Sequence, residues 1–416
     1  MLLFEEIRSE RQRKLAAMVF CYSLANSLIA VFLPAYYLKL GSGGLSWAVE
    51  FLATQFLVLG FIPRFNLRWF PHQFEKLLFA GFGLYILYDV LLIYLDNPII
   101  IGIVAGLALG TFWPSFNTLQ LRLTDRRNRT ATINTISILV MTIAASIGPV
   151  VGGLVISMGG GFVHALLISA GFYLAAILAI RRFPFERVVK DDSYDDDDDN
   201  LGEIKVGQEG GVAPKQSTLS YLSSAIRNYK VNLFLVSYVI QGLTEITWFV
   251  YPIYVLSVTG SYLGLGLVAS LASIIVAIFS VTLGRISDSR KSRFTFIALG
   301  IALNCAWYAL LPSVRNENEL ILASMITGVA GAFTSNIFSL LGDQFPKKLY
   351  APLLVKMETC LMIGRISNLL VVVYFMSDRN FGGYFDFSAI ALSLCIPLFY
   401  FVERKPAGPS QVALRA

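Results

Sequence analysis

Apolar residues run along this chain in long blocks rather than in alternation with polar ones. Twelve blocks stand out, at about 15–39, 44–63, 77–95, 98–121, 131–157, 162–180, 231–257, 262–284, 294–312, 319–342, 350–377 and 384–402. A helix needs about 20 apolar residues to cross a bilayer, so each block predicts one membrane-spanning helix. The strands of an outer-membrane barrel would instead alternate every second position. The first block is too long for a cleavable leader, lacks a small-x-small cleavage site and runs straight into Pro34 and the pair Tyr36-Tyr37. It is read as span one.

The polar residues between the blocks set the orientation. Of the 33 Lys and Arg, 28 fall at the two ends and in the loops that follow the even-numbered spans. The opposite loops hold only Lys39, Arg315 and Arg379, and Lys356 and Arg365 lie inside a span. Basic residues stay on the cytosolic side. The expected topology is therefore twelve spans with both termini cytosolic, in a multi-pass protein of the plasma membrane. The segment 183–230 is the long polar exception, with the run Asp195 to Asp199 followed by a Gly-rich stretch. It reads as a hydrated cytosolic linker, with a metal or partner role for the Asp run as the other reading. Leu219, Leu222, Ala225 and Ile226 near its end fit a short amphipathic helix on the membrane surface.

Composition narrows the class further. The 416 residues are 56% hydrophobic and 14% charged, against about 25% charged in soluble domains. That excludes a soluble enzyme, a disordered chain and a secreted disulfide scaffold. Cys21, Cys305, Cys360 and Cys395 all sit in apolar stretches without pairing spacing and read as small buried hydrophobes. The net charge of +6 adds nothing beyond its placement, because the basic loops read as orientation signals and not as a nucleic-acid surface. No P-loop occurs, and neither His72 nor His164 has metal-ligand neighbours. No cofactor, metal or enzymatic activity is expected.

The linker divides the chain into 1–182, 183–230 and 231–416, with six spans on each side. The two sides read as distant repeats. Phe32-Leu33-Pro34-Ala35-Tyr36 resembles Val250-Tyr251-Pro252-Ile253-Tyr254. Gly110-Thr111-Phe112 matches Gly331-Ala332-Phe333, and Ile147-Gly148-Pro149 lines up with Ile363-Gly364-Arg365. The offsets are nearly equal, and each match falls in the corresponding span. Two six-helix halves in a parallel repeat are the layout of the major facilitator superfamily, which this chain resembles along its whole length. Gly148-Pro149-Val150-Val151-Gly152-Gly153 resembles that family's GPxxGG motif of span five, often seen in exporters. Gly284-Arg285-Ile286-Ser287-Asp288-Ser289-Arg290-Lys291 resembles its GxxxD-(R/K) loop motif, with Lys291 in place of the second Gly. In the first half Gly60 is followed by Arg64 where the Asp belongs, and Ala144 replaces an earlier Gly.

The resemblance implies an all-α polytopic fold of two pseudo-repeat bundles, usually monomeric, that works by alternating access. Gly148, Gly152 and Gly153 are expected to let a neighbouring helix approach, and Pro149 to bend its span. In this architecture Asp288, with Gly284 and Arg290 in its loop, lies near the start of span five. It is expected to face Arg126, Arg127 and Arg129 as a cytosolic latch; the plainer reading is a solvated surface acid.

Charges inside spans are costly, about 2.5–3.5 kcal/mol each at mid-bilayer. Glu245 in span seven and Arg365 in span eleven belong to one half and are expected to meet, with Glu358 two turns before Arg365. Two roles compete, proton exchange at Glu245 governed by Arg365, or a permanent ion pair that fixes packing; a substrate anchor is a third. Asp89 in span three is either a further coupling acid or a group reaching the outer interface. The cavity wall is expected from spans one, four, seven and ten, through Asn26, Trp113, Asn117, Gln241, Trp248, Tyr251 and Asn336, with Pro34, Pro114 and Pro252 bending three of these spans.

The expected function is proton-coupled export of a small, partly apolar organic compound. The alternatives are an importer or facilitator of a sugar-like or anionic solute held by Arg365, and a non-transporting membrane sensor or scaffold with a sealed centre.

Overall fold

Inside a bilayer every backbone N–H and C=O must be paired within the chain, and a helix does this locally. The computed structural model describes residues 10–40, 43–70, 73–122, 133, 139–181, 229–289, 292–333, 335–345 and 350–404, and the apolar blocks within them are helical. The first half holds α1 (Glu10–Ile29), α2 (Leu33–Tyr37), α3 (Leu45–Trp69), α4 (Phe74–Tyr94), α5 (Pro98–Arg122), α6 (Val140–Val155) and α7 (Gly161–Arg181). The second half holds α8 (Tyr229–Glu245), α9 (Thr247–Thr259), α10 (Tyr262–Ser289), α11 (Phe294–Leu310), α12 (Glu317–Gly331), α13 (Ser335–Gln344), α14 (Tyr350–Ser377), α15 (Phe381–Ser393) and α16 (Cys395–Glu403). No strand occurs among the described residues. The expected linker lies outside them, as does most of the start of span five.

Ten stretches among the described residues are long and apolar enough to cross a membrane. One of them, Val140–Ala179, is 40 residues long. A π-helical turn at Ile156–Gly160, with non-helical backbone at Met158 and Gly159, divides it into spans five and six. Gly159 and Gly161 hold φ of 90° and 64° there, a region that glycine enters without the cost a side chain adds. Span one is α1 with α2; the charges of its first turns, Glu10, Arg11, Arg13 and Lys14, keep it out of the apolar ten. Among the described residues the sum is twelve, consistent with the spans expected. Large apolar side chains such as Leu57, Ile99, Leu174, Ile278, Leu322 and Ile390 point outward, exposed, as a lipid-facing surface requires.

Three of the four cavity spans are broken, and not where prolines alone would break them. Span one is interrupted between Ile29 and Leu33, where Pro34 has no N–H to offer the Ala30 carbonyl. Span seven is interrupted at Ile246, between α8 and α9. Thr244 Oγ1 donates to the Gln241 carbonyl at 2.9 Å and Thr247 Oγ1 to the Thr244 carbonyl at 2.7 Å, which satisfies backbone near the break. Span ten is interrupted between Gly331 and Ser335 with no proline. Span four is not broken, because α5 runs continuously through Pro114. The carbonyl freed by that proline belongs to Gly110, and Asn66 Nδ2 from span two donates to it at 3.4 Å.

The internal repeat is legible contact by contact. Tyr36 donates its hydroxyl to the Leu92 carbonyl at 2.9 Å, and Tyr254 donates to that of Leu311 at 2.8 Å. A β-carbon at Gly81 would lie 3.1 Å from Phe112 Cβ, and one at Gly300 2.7 Å from Phe333 Cβ. A β-carbon at Gly106 would lie 2.6 Å from the Gln55 carbonyl, and one at Gly328 2.8 Å from that of Ala272. Each pair joins equivalent spans at nearly one sequence offset, so the two halves are built on the same helix crossings.

Candidate functional site

The central site begins with a close crossing of α8 and α14. A β-carbon at Gly242 would lie 2.6 Å from the Leu361 carbonyl, and one at Gly364 would overlap the Val239 carbonyl. Small residues at a crossing let two backbones approach. One turn beyond Gly242 is Glu245, the last residue of α8, and next to Gly364 is Arg365. The crossing therefore brings the two charged groups together at the break in span seven.

Arg365 forks onto Glu245, Nε to Oε2 at 2.8 Å and Nη2 to Oε1 at 2.7 Å. Its Nη1 reaches Glu358 Oε2 at 3.3 Å. Two-pronged guanidinium–carboxylate contacts fix orientation as well as charge. The guanidinium also lies over the Phe56 ring of span two, 5.4 Å from its centroid, which ties the second-half cluster to the first half. The side chain of Arg365 is 8% exposed and that of Glu358 16%, whereas Glu245 is 39% exposed and faces open space.

That space is a cavity of about 760 Å³ between the halves, with Glu245, Glu358, Arg365 and Phe56 in its wall. Of the residues expected to line it, Asn26, Trp113, Asn117, Trp248 and Tyr251 do so. Gln241 and Asn336 are not in the wall. Asn336 is fully buried, accepts from Ser287 and donates to the Phe333 carbonyl, in a polar network at the face that carries the chain ends. Gln241 is half-buried, with its Nε2 buried. Sequence reading missed Gln55, Tyr88 and Tyr238, which also line the cavity. The signal for Gln55 was a lone amide inside the apolar second span.

Asp89 does not reach an outer interface, correcting one of its two expected positions. It is 2% exposed within span three, beside Tyr88, whose hydroxyl pairs with that of Tyr37. It stands outside the cavity wall and apart from Glu245.

The span-five glycines are packing surfaces. β-carbons at Gly148 and Gly152 would overlap Ser27 and the Leu28 carbonyl of α1, and one at Gly153 would lie 2.9 Å from the Tyr262 carbonyl of α10. The Pro149 carbonyl meets Gly266. Span five is thus wedged between spans one and eight. Gly284 is buried in span eight. Asp288 is held by Arg293 at 2.9 Å within its own half, and Arg293 Nε reaches Asp343 at 3.0 Å. The solvated-acid reading therefore fails. Arg290 and the arginines expected opposite Asp288 lie outside the described residues.

The family model of the Major Facilitator Superfamily matches residues 233–416. No curated protein matches by sequence. Three solved structures are similar in fold. The E. coli fucose:proton symporter FucP has a TM-score of 0.62 at 14% identity, covering 95% of this chain and 98% of that one. The human organic anion transporter MFSD10 (TETRAN) gives 0.61 at 15%, covering 94% and 100%. The nucleoside transporter NupG gives 0.62 at 14%, covering 96% and 100%. Residues 233–416 thus resemble the Major Facilitator Superfamily in sequence, and the whole chain is similar in fold to these three structures.

Proposed function

We propose that this protein is a secondary active transporter that moves a small, partly apolar organic compound in exchange for protons, by alternating access. The observation that carries the reading is a charged cluster, Glu245–Arg365–Glu358, in the wall of a cavity between two repeat-related halves. Charges within membrane spans are retained against a high cost where they act. A cavity of about 300–1,000 Å³ with aromatic walls and sparse polar groups suits a small organic ligand. Such a cavity is also what a sealed, non-transporting sensor would lack. Among proteins of similar fold, one is named a proton symporter.

Glu245 is the proton carrier in this reading, because it is the most exposed of the three and sits where span seven is broken. Movement of α9 relative to α8 would alter its contact with Arg365. Export is the proposed direction, on the span-five motif. The protein would act as a monomer in the plasma membrane with both termini cytosolic, and 183–230 would tether bundles 1–182 and 231–416. An anion-anchor role for Arg365 is disfavoured, since its fork is already filled by two carboxylates.

The test is proton movement in liposomes holding the purified protein and a pH-sensitive dye. A thermal-shift screen of small organic compounds supplies the ligand. Ligand-driven proton movement is expected in the wild type and is lost in Glu245→Gln; unchanged movement in that variant removes the proposed carrier.

A further inference from the structure

We propose that the molecule carried is an amphipathic organic cation, and that it and a proton alternate at the Glu245–Arg365–Glu358 cluster. This rests on the transporter reading above and adds the charge of the substrate. The first argument is a charge count. Among the described residues of the cavity wall, the charged side chains are Glu245, Glu358 and Arg365. Two carboxylates face one guanidinium, which leaves one negative charge in excess when both acids are ionised. An unbalanced charge in a largely apolar wall is unfavourable. One added positive charge balances it, whether it arrives as a proton or on a substrate. Both together would leave one positive charge in excess. Arrival of the cation therefore releases one proton to water, and its departure takes one up.

The rest of the wall favours a cation. Arg365 has given Nε, Nη1 and Nη2 to carboxylates and one ring face to Phe56, so it has no fork left for an anion. Trp113, Trp248, Tyr88 and Tyr238 supply aromatic surface, and aromatic faces attract cations. Gln55 lines the cavity at 6% exposure, and its Oε1 has no hydrogen-bond partner among the described residues. A buried acceptor left open is costly and is satisfied by an N–H of an ammonium group. The titratable groups near the cluster are Tyr238 on α8, Tyr308 on α11 and Cys395 on α16; Lys356 lies beside Arg64 and Cys360. Tyr85 and Tyr88 stand in the opposite wall.

The test uses the full chain purified in detergent, with 4-phenylbutylammonium and 4-phenylbutyrate as probes. They share one body and carry opposite charges near neutral pH. Calorimetric titration is run in two buffers of different ionisation enthalpy. The ammonium is expected to bind about tenfold more tightly at about pH 7 than at about pH 6 and to release about one proton, as linkage to a single proton requires. The carboxylate is expected not to bind. Glu358→Gln removes the excess charge; it is expected to lower ammonium affinity by about tenfold, a change of about 1.4 kcal/mol, and to abolish proton release. A variant that does not fold leaves the decision to the wild-type pH series. Equal binding of 4-phenylbutyrate or of neutral 4-phenylbutanol, or no ammonium binding at millimolar concentration, overturns the cation assignment while the liposome result with Glu245→Gln stands or falls separately. Ammonium binding that ignores pH overturns the alternation with a proton.

Discussion

Arg365 is the residue on which the site depends. Buried ion pairs contribute little net stability relative to a well-packed apolar substitute, but removing one partner leaves the others uncompensated. Arg365→Ala is therefore expected to destabilise the protein by about 3–5 kcal/mol, read as an early unfolding transition in detergent by tryptophan fluorescence. Combining it with Glu245→Gln and Glu358→Gln removes the stranded charges and is expected to restore most of the loss. Arg365→Lys keeps the charge without the fork and should fall between. A single Arg365→Ala variant as stable as the wild type would mean that both acids are fully hydrated, against the burial of Glu358. The charged members of this cluster were readable in the sequence because charges within apolar spans are few. Gln241 and Asn336 misled for the opposite reason. Polar residues on a span show little of which way they face, and the break after Gly331 resets the helical phase that would have told for Asn336.

At the scale of elements, glycine placement does more than proline placement to set the architecture. Pro114 sits in an unbroken helix because Asn66 takes up the carbonyl it frees, a compensation that no local pattern announces. The glycines are easier to read once the repeat is seen. Gly148 meets α1 as Gly364 meets α8, so the short sequence matches noted between the halves mark shared crossings rather than shared chemistry. Gly152 has no room for a methyl group, whereas Gly171 in α7 has nothing within 4 Å of its β-carbon position. Gly152→Ala is expected to cost about 1–3 kcal/mol by overpacking, and Gly171→Ala to be neutral or to stabilise by up to about 1 kcal/mol through helix propensity. Unfolding midpoints of the two variants check this; equal effects would mean that spans one and five are not packed closely.

Over the whole molecule, the spans were readable because bilayer thickness fixes their length, but the contacts that join the two halves at one face were not. At the face away from the chain ends, Lys39 of the first half donates to the Tyr262 hydroxyl of the second at 2.7 Å, and its ammonium lies 5.1 Å from that ring's centroid. Phe162 meets Tyr262 edge-on at 5.5 Å and stacks on Tyr36 at 4.5 Å, while Phe32 approaches Tyr262 at 6.1 Å. Spans one, six and eight are thus tied together by one ring from span eight. In the proposed alternating-access cycle this face opens, so the cluster has to be weak enough to release. Exposed cation–ring and ring–ring contacts of about 0.5–1.5 kcal/mol each meet that condition. Tyr262→Ala removes them all and is expected to shift the balance toward the open face by about tenfold, equivalent to about 1.4 kcal/mol. Val31 lines the cavity, so a Val31→Cys variant, with the four native cysteines replaced, reports the change. Labelling by a membrane-impermeant maleimide from that face should be slow alone and about tenfold faster with Tyr262→Ala. Equal labelling rates would mean that the tight packing of Gly153 and Gly266 against spans eight and five holds the face shut without the aromatic cluster.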